Sequence, residues 1–312
     1  MLLPVGAIGV SGVTYSGQKA AASADVFEFS RDASAFRRDN PEAIVPDPIL
    51  ARSLWSEEYG PRCHVPLNAE GLAECNYGKL DGERTLVVHG GSHSTQWLRG
   101  LMSIAEPLDL RLVQITKVGC PSFDPSVPTA DLHPRNQEFY DTRDASCLEW
   151  NRASQARILD LEPDAVLTVG TRGTGEAEEL PEAAIAWAET IGDAGIQVLV
   201  LRDNPRLPID VPACVDRNRD DPSQCNVPRD TLLSEDAPGA DLDVENLTYV
   251  DLTEAFCGAE TCWAVKDGIL IYRDGHHLTG TYAEAIVHKL GQRLFQVLAT
   301  PPIRAAQGPS QP

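Results

Sequence analysis

From residue 84 onward, short continuous apolar runs alternate with longer segments of helical periodicity. Thr85-Leu86-Val87-Val88-His89 predicts a buried strand, followed by a tight Gly90-Gly91 turn and a helix from His93 to about Ala105. Leu110 to Thr116 is a second strand, Ser146 to Leu161 an amphipathic helix, and Ala165 to Val169 a third strand. Pro181 suits the first turn of a helix that runs to Asp193, and Gln197 to Leu201 is a fourth strand. Residues 203–245 are loop-rich, with six prolines and two cysteines. Leu247 to Leu252 is the fifth strand. The chain's regular part then closes with a helix from Thr279 to Leu298, where Ala283, Ile286, Val287, Leu290, Leu294 and Val297 fall at helical spacing. Continuous apolar strands between helices imply a parallel sheet covered on both faces: a three-layer α/β/α, doubly wound, five-stranded fold. A site in such a fold is expected at the carboxyl ends of the strands.

The flanks have a different pattern. Residues 2–13 are apolar but interrupted by Pro4 and three glycines. Twelve residues also fall short of the roughly 20 that cross a bilayer as a helix. They read as the stub of a membrane segment or as a disordered tail. Residues 14–60 are polar and broken, which is the composition of a linker or wrapping arm. The expected organisation is a membrane-proximal stub and arm over 1–60, an α/β domain over 61–300 and a disordered tail over 301–312.

Composition narrows the function. The 312 residues carry a formal net charge of −20, and 42% are hydrophobic. That is enough apolar material for a core, and the acidic surface repels nucleic-acid phosphates. Eight cysteines stand beside only two methionines. None of the cysteines has the C-x-x-C spacing of zinc knuckles or thioredoxin-like sites, so structural disulfides are expected. Short separations pair Cys63 with Cys75, Cys214 with Cys225 and Cys257 with Cys262, leaving Cys120 for Cys147. Such bonds persist outside the cytoplasm, which implies an exported, extracytoplasmic domain.

The chemistry sits at the strand ends. Gly90-Gly91 turns the first strand sharply and places Ser92 at a helix N-terminus, where free amides favour a developing oxyanion. Serine is also a common helix N-cap, so this position alone leaves both readings open. The glycines after the first and third strands fit neither G-x-G-x-x-G nor a P-loop, so nucleotide binding is disfavoured. Just before the closing helix stands Asp274-Gly275-His276-His277. The Asp-x-x-His spacing lets Asp274 fold back to orient His277, leaving the other ring nitrogen to take a serine proton. His276 is left as a neighbour, and no metal or cofactor is expected. The Gly-x-Ser-x-Gly elbow of the common α/β-hydrolases is absent around Ser92, since position 94 is serine.

Several stretches, in order, resemble the SGNH (GDSL-like) hydrolases. They are Leu86 to His93, Thr116 to Pro121, Leu201 to Arg206 before Pro212-Ala213-Cys214, and Tyr272 to Thr279. More narrowly, the chain is similar to the SGNH domain at the C-terminal end of membrane acyltransferases of family 3, over about three-quarters of its length, from Cys63 to Leu298. The resemblance implies an SGNH-type sheet of strand order 2-1-3-4-5, with Ser92 as nucleophile, His277 as base and Asp274 as its orienting acid. It also implies oxyanion donors from the Ser92 amide and Gly119. The block that usually reads Gly-x-Asn-Asp falls on Gly170 to Gly173, so Arg172 replaces the asparagine donor: either its guanidinium stabilises the oxyanion or that role is lost. Gly91 stands where the family normally has aspartate.

The implied activity is O-acyl transfer, most simply of acetyl, through an acyl-serine to a hydroxyl of a cell-envelope glycan or a glycolipid such as trehalose mycolate. The implied acyl donor is a membrane acyltransferase family 3 domain, in cis or in trans, which would tether the domain to the membrane. The alternatives are a secreted carbohydrate esterase and a non-catalytic glycan-binding module.

Overall fold

The structure is a computed structural model that describes residues 43–54, 57–126 and 137–299. The apolar start at 2–13, the polar stretch up to 42 and the tail over 301–312 lie outside the described residues.

The sheet is built from β1 (His64–Val65), β2 (Cys75–Gly78), β3 (Arg84–Gly90), β4 (Leu110–Lys117), β5 (Ala165–Val169), β6 (Gln197–Leu201) and, past the short off-sheet β7 (Val227–Pro228), β8 (Leu247–Val250). Its order is β1-β4-β3-β5-β6-β8, with β2 also on β4. The five central strands, from β4 to β8, all pair in parallel. Numbered from β3 in chain order, they run 2-1-3-4-5, the doubly wound arrangement the sequence predicts.

Alternating strand residues feed two cores. Leu86, Val88, Leu167 and Leu199 face one side, with residues of the Leu98–Ala105 and Gly280–Ala299 helices. Val87, Val166 and Val198 face the other, with Trp150 and Trp187 from the Gln137–Leu161 and Glu182–Asp193 helices. On the first face the helices meet at Gly100, where an added Cβ would come within 2.6 Å of the Ala283 carbonyl oxygen. Only glycine permits that approach.

The sequence reading is refined in four places. The helix after β3 is in two pieces, Ser92–Thr95 and Leu98–Ala105, broken at Gln96 and Trp97. The helix expected from Ser146 already begins at Gln137. The loop-rich stretch contains a helix, Val211–Arg217, capped by the Asp210 carboxylate, which accepts the Ala213 amide at 3.2 Å. Finally, β1 and β2 precede the expected start of the alternation. They are two and four residues long. That is too short for a periodic signal, and they are specified by pairing along the edge of β4.

Four disulfides join the predicted pairs: Cys63–Cys75, Cys120–Cys147, Cys214–Cys225 and Cys257–Cys262. Each such bond restricts the unfolded chain and typically contributes about 2–4 kcal/mol. Cys120–Cys147 anchors the loop after β4, at the carboxyl rim, to the long helix. Residues 43–52 lie against the domain: Val45 bridges Ile269, and Asp47 pairs with Arg219 at 3.0 Å. No helix among the described residues is long and apolar enough to cross a membrane.

Candidate active site

At the carboxyl end of β3, Gly90 adopts φ +121°, a conformation open to glycine, and a Cβ there would meet Ser94 Oγ at 2.7 Å. The chain then enters the Ser92–Thr95 turn with Ser92 at its first helical position. Ser94 Oγ accepts the Val169 amide at 3.1 Å, fastening this turn to the end of β5. Beneath the turn, His89 is sandwiched between Trp150 and Trp187, at 4.7 Å between centroids on each side. Its ring nitrogens meet Ser122 Oγ at 2.6 Å and Ser154 Oγ at 2.8 Å. Burial lowers this ring to a pKa of about 3, so it is a neutral polar support.

The loop before the closing helix meets this turn. Ser92 Oγ lies 2.8 Å from His277 Nε2, and His277 Nδ1 lies 2.7 Å from Asp274 Oδ2. Asp274 Oδ1 accepts the amides of His276 and His277 at 2.8 and 2.7 Å. Burial works to raise the Asp274 carboxyl, but its bond to His277 and the two amides outweigh this and hold it well below the usual carboxylate range. Burial also pushes the His277 ring below the ordinary histidine value, with Asp274 opposing the shift. At neutral pH His277 is therefore uncharged, with its proton on Nδ1 and a lone pair directed at the serine hydroxyl.

Three predicted residues thus come together from positions 185 apart in sequence. The other two site candidates are placed differently. Gly119, at φ +68°, forms the exposed turn after β4, where Cys120 donates to the Lys117 carbonyl at 3.2 Å. Arg172 sits in a bridge with Glu179 and donates through Nε to Glu179 Oε1 at 3.0 Å. Among the described residues, no hydrogen bond joins Arg172 to Ser92, His277 or Asp274. The tight turn at Gly173, whose Cβ would fall 2.0 Å from the Ala177 carbonyl oxygen, sends the chain back so that Arg172 faces Glu179. Gly91 has its own reason: a Cβ there would press on the Cys120 carbonyl oxygen at 3.3 Å.

Four polar residues to which the sequence assigns no role surround Ser92, His277 and Asp274. Gln96, at the helix break, accepts the Leu278 amide at 2.9 Å and donates to Asn204 Oδ1 at 2.7 Å. Asn204 in turn donates to the His276 carbonyl at 2.7 Å. His93 Nδ1 meets Asp203 Oδ1 at 2.6 Å, and His93 Nε2 meets His276 Nδ1 at 2.8 Å. Asp203 and Asn204 lie in the Leu201–Arg206 stretch, but nothing in one sequence shows that it returns to the nucleophile. Tyr59 adds support from the amino-terminal side, donating to the Ser92 carbonyl at 3.2 Å beneath the Arg273 guanidinium.

His93, His276 and His277 each bring a ring nitrogen within 4.8 Å of the others, the grouping among the described residues that is suited to a divalent cation. Hydrogen bonds within the site already engage one of those nitrogens on each ring.

The profile of a family described as "SGNH domain (fused to AT3 domains)" matches residues 62–292. The chain belongs to that SGNH family. No curated protein matches it significantly. Among solved structures, the SGNH chain is similar to the lipopolysaccharide acetyltransferase periplasmic domain of Salmonella ser. Paratyphi A. The identity is 18% and the TM-score 0.49, over 69% of this chain and 84% of that one.

Proposed function

We propose that this SGNH domain is a serine-dependent O-acyltransferase of the cell envelope. The observation that carries the reading is the continuous chain from Ser92 Oγ through His277 to Asp274. His277 takes the Ser92 proton as Oγ attacks the donor's acyl carbon, and returns it to the leaving group. An acceptor hydroxyl then attacks acyl-Ser92, with His277 again as base. The Ser92 amide, at the first position of the turn and outside the helical bonding pattern, is placed to donate to the oxyanion, with Gly119 as the second proposed donor. Arg172, whose Nε donates to Glu179, is given no part in this scheme.

The acyl group proposed is acetyl, and the acceptor a hydroxyl of an envelope glycan or glycolipid. Because the family is described as fused to AT3 domains, an AT3 domain is the proposed acyl donor. Four disulfides support an extracytoplasmic location, where such bonds persist. A purely glycan-binding role has no use for a carboxylate-oriented histidine aimed at a serine. The test is a pre-steady-state burst with p-nitrophenyl acetate. Wild type should release one equivalent of nitrophenol and carry acetyl on Ser92, and Ser92→Ala should lower the acylation rate about a thousandfold. A Ser92→Ala burst equal to wild type would overturn the proposal.

A further inference from the structure

The triad is accompanied by a second carboxylate–histidine chain, Asp203–His93–His276, whose proton positions are determined by its ends. Burial works to raise the Asp203 carboxyl, but His93 and Arg206 outweigh it and hold Asp203 ionised. An ionised carboxylate only accepts, so His93 Nδ1 carries the proton of the 2.6 Å bond. Burial lowers His93 below the ordinary histidine value, so the neutral ring presents a bare Nε2. The 2.8 Å partner of that nitrogen, His276 Nδ1, must then donate. His276 is neutral too, lowered by burial to about 4, so its remaining nitrogen, Nε2, carries only a lone pair. That atom has no hydrogen-bond partner among the described residues and is not among the buried atoms, so it reaches solvent.

His276 and His277 lie side by side, with ring centroids 4.1 Å apart. Once Ser92 is acylated, His277 Nε2 has also lost its hydrogen-bond donor. The site then offers two neighbouring imidazole nitrogens, both acceptors and both oriented by buried or half-buried carboxylates. One hydroxyl satisfies only one of them.

Resting on the acyl-serine reading above, we propose that His276 determines acceptor specificity by binding a second hydroxyl next to the one that attacks. The acceptor class is then a vicinal diol, as found on a sugar ring. In the transfer step the attacking oxygen bonds to the acyl carbon while its proton passes to His277 Nε2. His277 returns that proton to Ser92 Oγ as the acyl carbon–Oγ bond breaks. The neighbouring hydroxyl keeps its proton and donates a hydrogen bond to His276 Nε2. His93 and Asp203 are positioning residues that set the His276 tautomer.

The test is the partition of acetyl-Ser92 among water, ethylene glycol and 2-methoxyethanol, an ether that keeps the second oxygen but not its O–H. The two equivalent hydroxyls of the glycol give a statistical preference of two. Wild type should prefer ethylene glycol about tenfold in all, the statistical two multiplied by the roughly fivefold that one net hydrogen bond supplies. In His276→Phe the preference should fall to the statistical value. In Asp203→Asn, Arg206 holds the amide oxygen, so the amide N–H faces His93 and reverses the chain. His276 Nε2 then becomes a donor, which the glycol hydroxyl and the ether oxygen accept alike, and the preference should fall to two. A change in stability alone would not move this ratio. A wild-type ratio of two, or a tenfold ratio retained in His276→Phe, overturns the inference while leaving the acyl-serine in place. Absence of any acetyl-enzyme in wild type overturns the acyl-serine reading itself, and the inference with it.

Discussion

Gln96 Oε1 accepts the backbone N–H of Leu278 at 2.9 Å, which ties the turn that carries Ser92 to the loop that carries His277. The same side chain donates to Asn204, whose amide holds the His276 carbonyl. All of these groups are at least half-buried, and Gln96 is only 3% exposed.

Gln96→Leu should therefore do more than remove one contact. It leaves the buried Leu278 amide and the Asn204 oxygen unpaired, a cost of about 1–3 kcal/mol for each such group. Urea unfolding should show the loss in stability. The acetylation burst should slow as well, because the bond from Ser92 to His277 loses its brace.

Gly91→Asp installs the residue that the family resemblance leads one to expect, yet it should be harmful here. Its Cβ would press on the Cys120 carbonyl oxygen at 3.3 Å, in a loop tethered by the Cys120–Cys147 bond. Overpacking of this kind costs about 1–3 kcal/mol. A lower midpoint in thermal unfolding and a slower burst are expected. Restoring wild-type burst kinetics would contradict this account of the glycine.

The end of β6, just before Asp203, is held by a buried ion pair. Arg202 reaches Glu178 Oε2 at 2.6 Å with both side chains almost fully buried, and reaches Asp251 at 3.0 Å. Arg202→Met should destabilise the domain by about 3–5 kcal/mol, because it strands the Glu178 carboxylate in the interior. Adding Glu178→Leu should recover much of that loss. Denaturant titration of the two single variants and the double variant measures the coupling.

The acylation rate should depend on a neutral His277. Since burial sets its pKa below the ordinary 6.5, the burst rate should be flat through neutral pH, and its acid limb should have its midpoint below 6.5. The Asp274 bond works to raise that pKa. Asp274→Asn should therefore move the acid limb to still lower pH while lowering the plateau rate, two changes readable in one stopped-flow pH series.

His89 makes the fold itself acid-sensitive. Its folded pKa of about 3 lies below the unfolded value of 6.5, so the unfolded chain gains the proton first as pH falls. The stability due to its neutral burial is complete above pH 6.5 and is lost between 6.5 and 3, at up to about 1.4 kcal/mol per pH unit. His89→Gln should be less stable than wild type at pH 7, yet lose stability with acid by about one proton less. Urea titrations at pH 7, 6 and 5 give both quantities.

Periodicity and spacing went a long way in this chain. Apolar runs such as Leu86–Val88 and Gln197–Leu201 are long enough to register as buried strands, and strands joined through helices have a nearly obligatory right-handed winding. Asp-x-x-His is a local constraint: three residues suffice for Asp274 to cap its own loop and hold His277. The cysteine pairs were legible for the same reason, since three of them close short loops.

What lay beyond the sequence was whatever depends on two loops meeting. Position 172 leaves open whether Arg172 replaces the asparagine donor or the role is lost, and only the fold after the Gly173 turn shows its Nε on Glu179. Gln96 reads as one more helical residue, and only the approach of Leu278 and Asn204 gives it a role. Asp203, His93 and His276 are far apart in the chain, and their proton chain exists only because β6, the turn after β3 and the loop before the last helix end at one rim. Local pattern determined the five central strands, the three short-loop disulfides and the Asp274–His277 pair, because each is encoded within a short stretch of chain. The tertiary structure decided the tautomers, the bracing and the second acceptor nitrogen, because hydrogen bonds between distant loops carry no periodic signal.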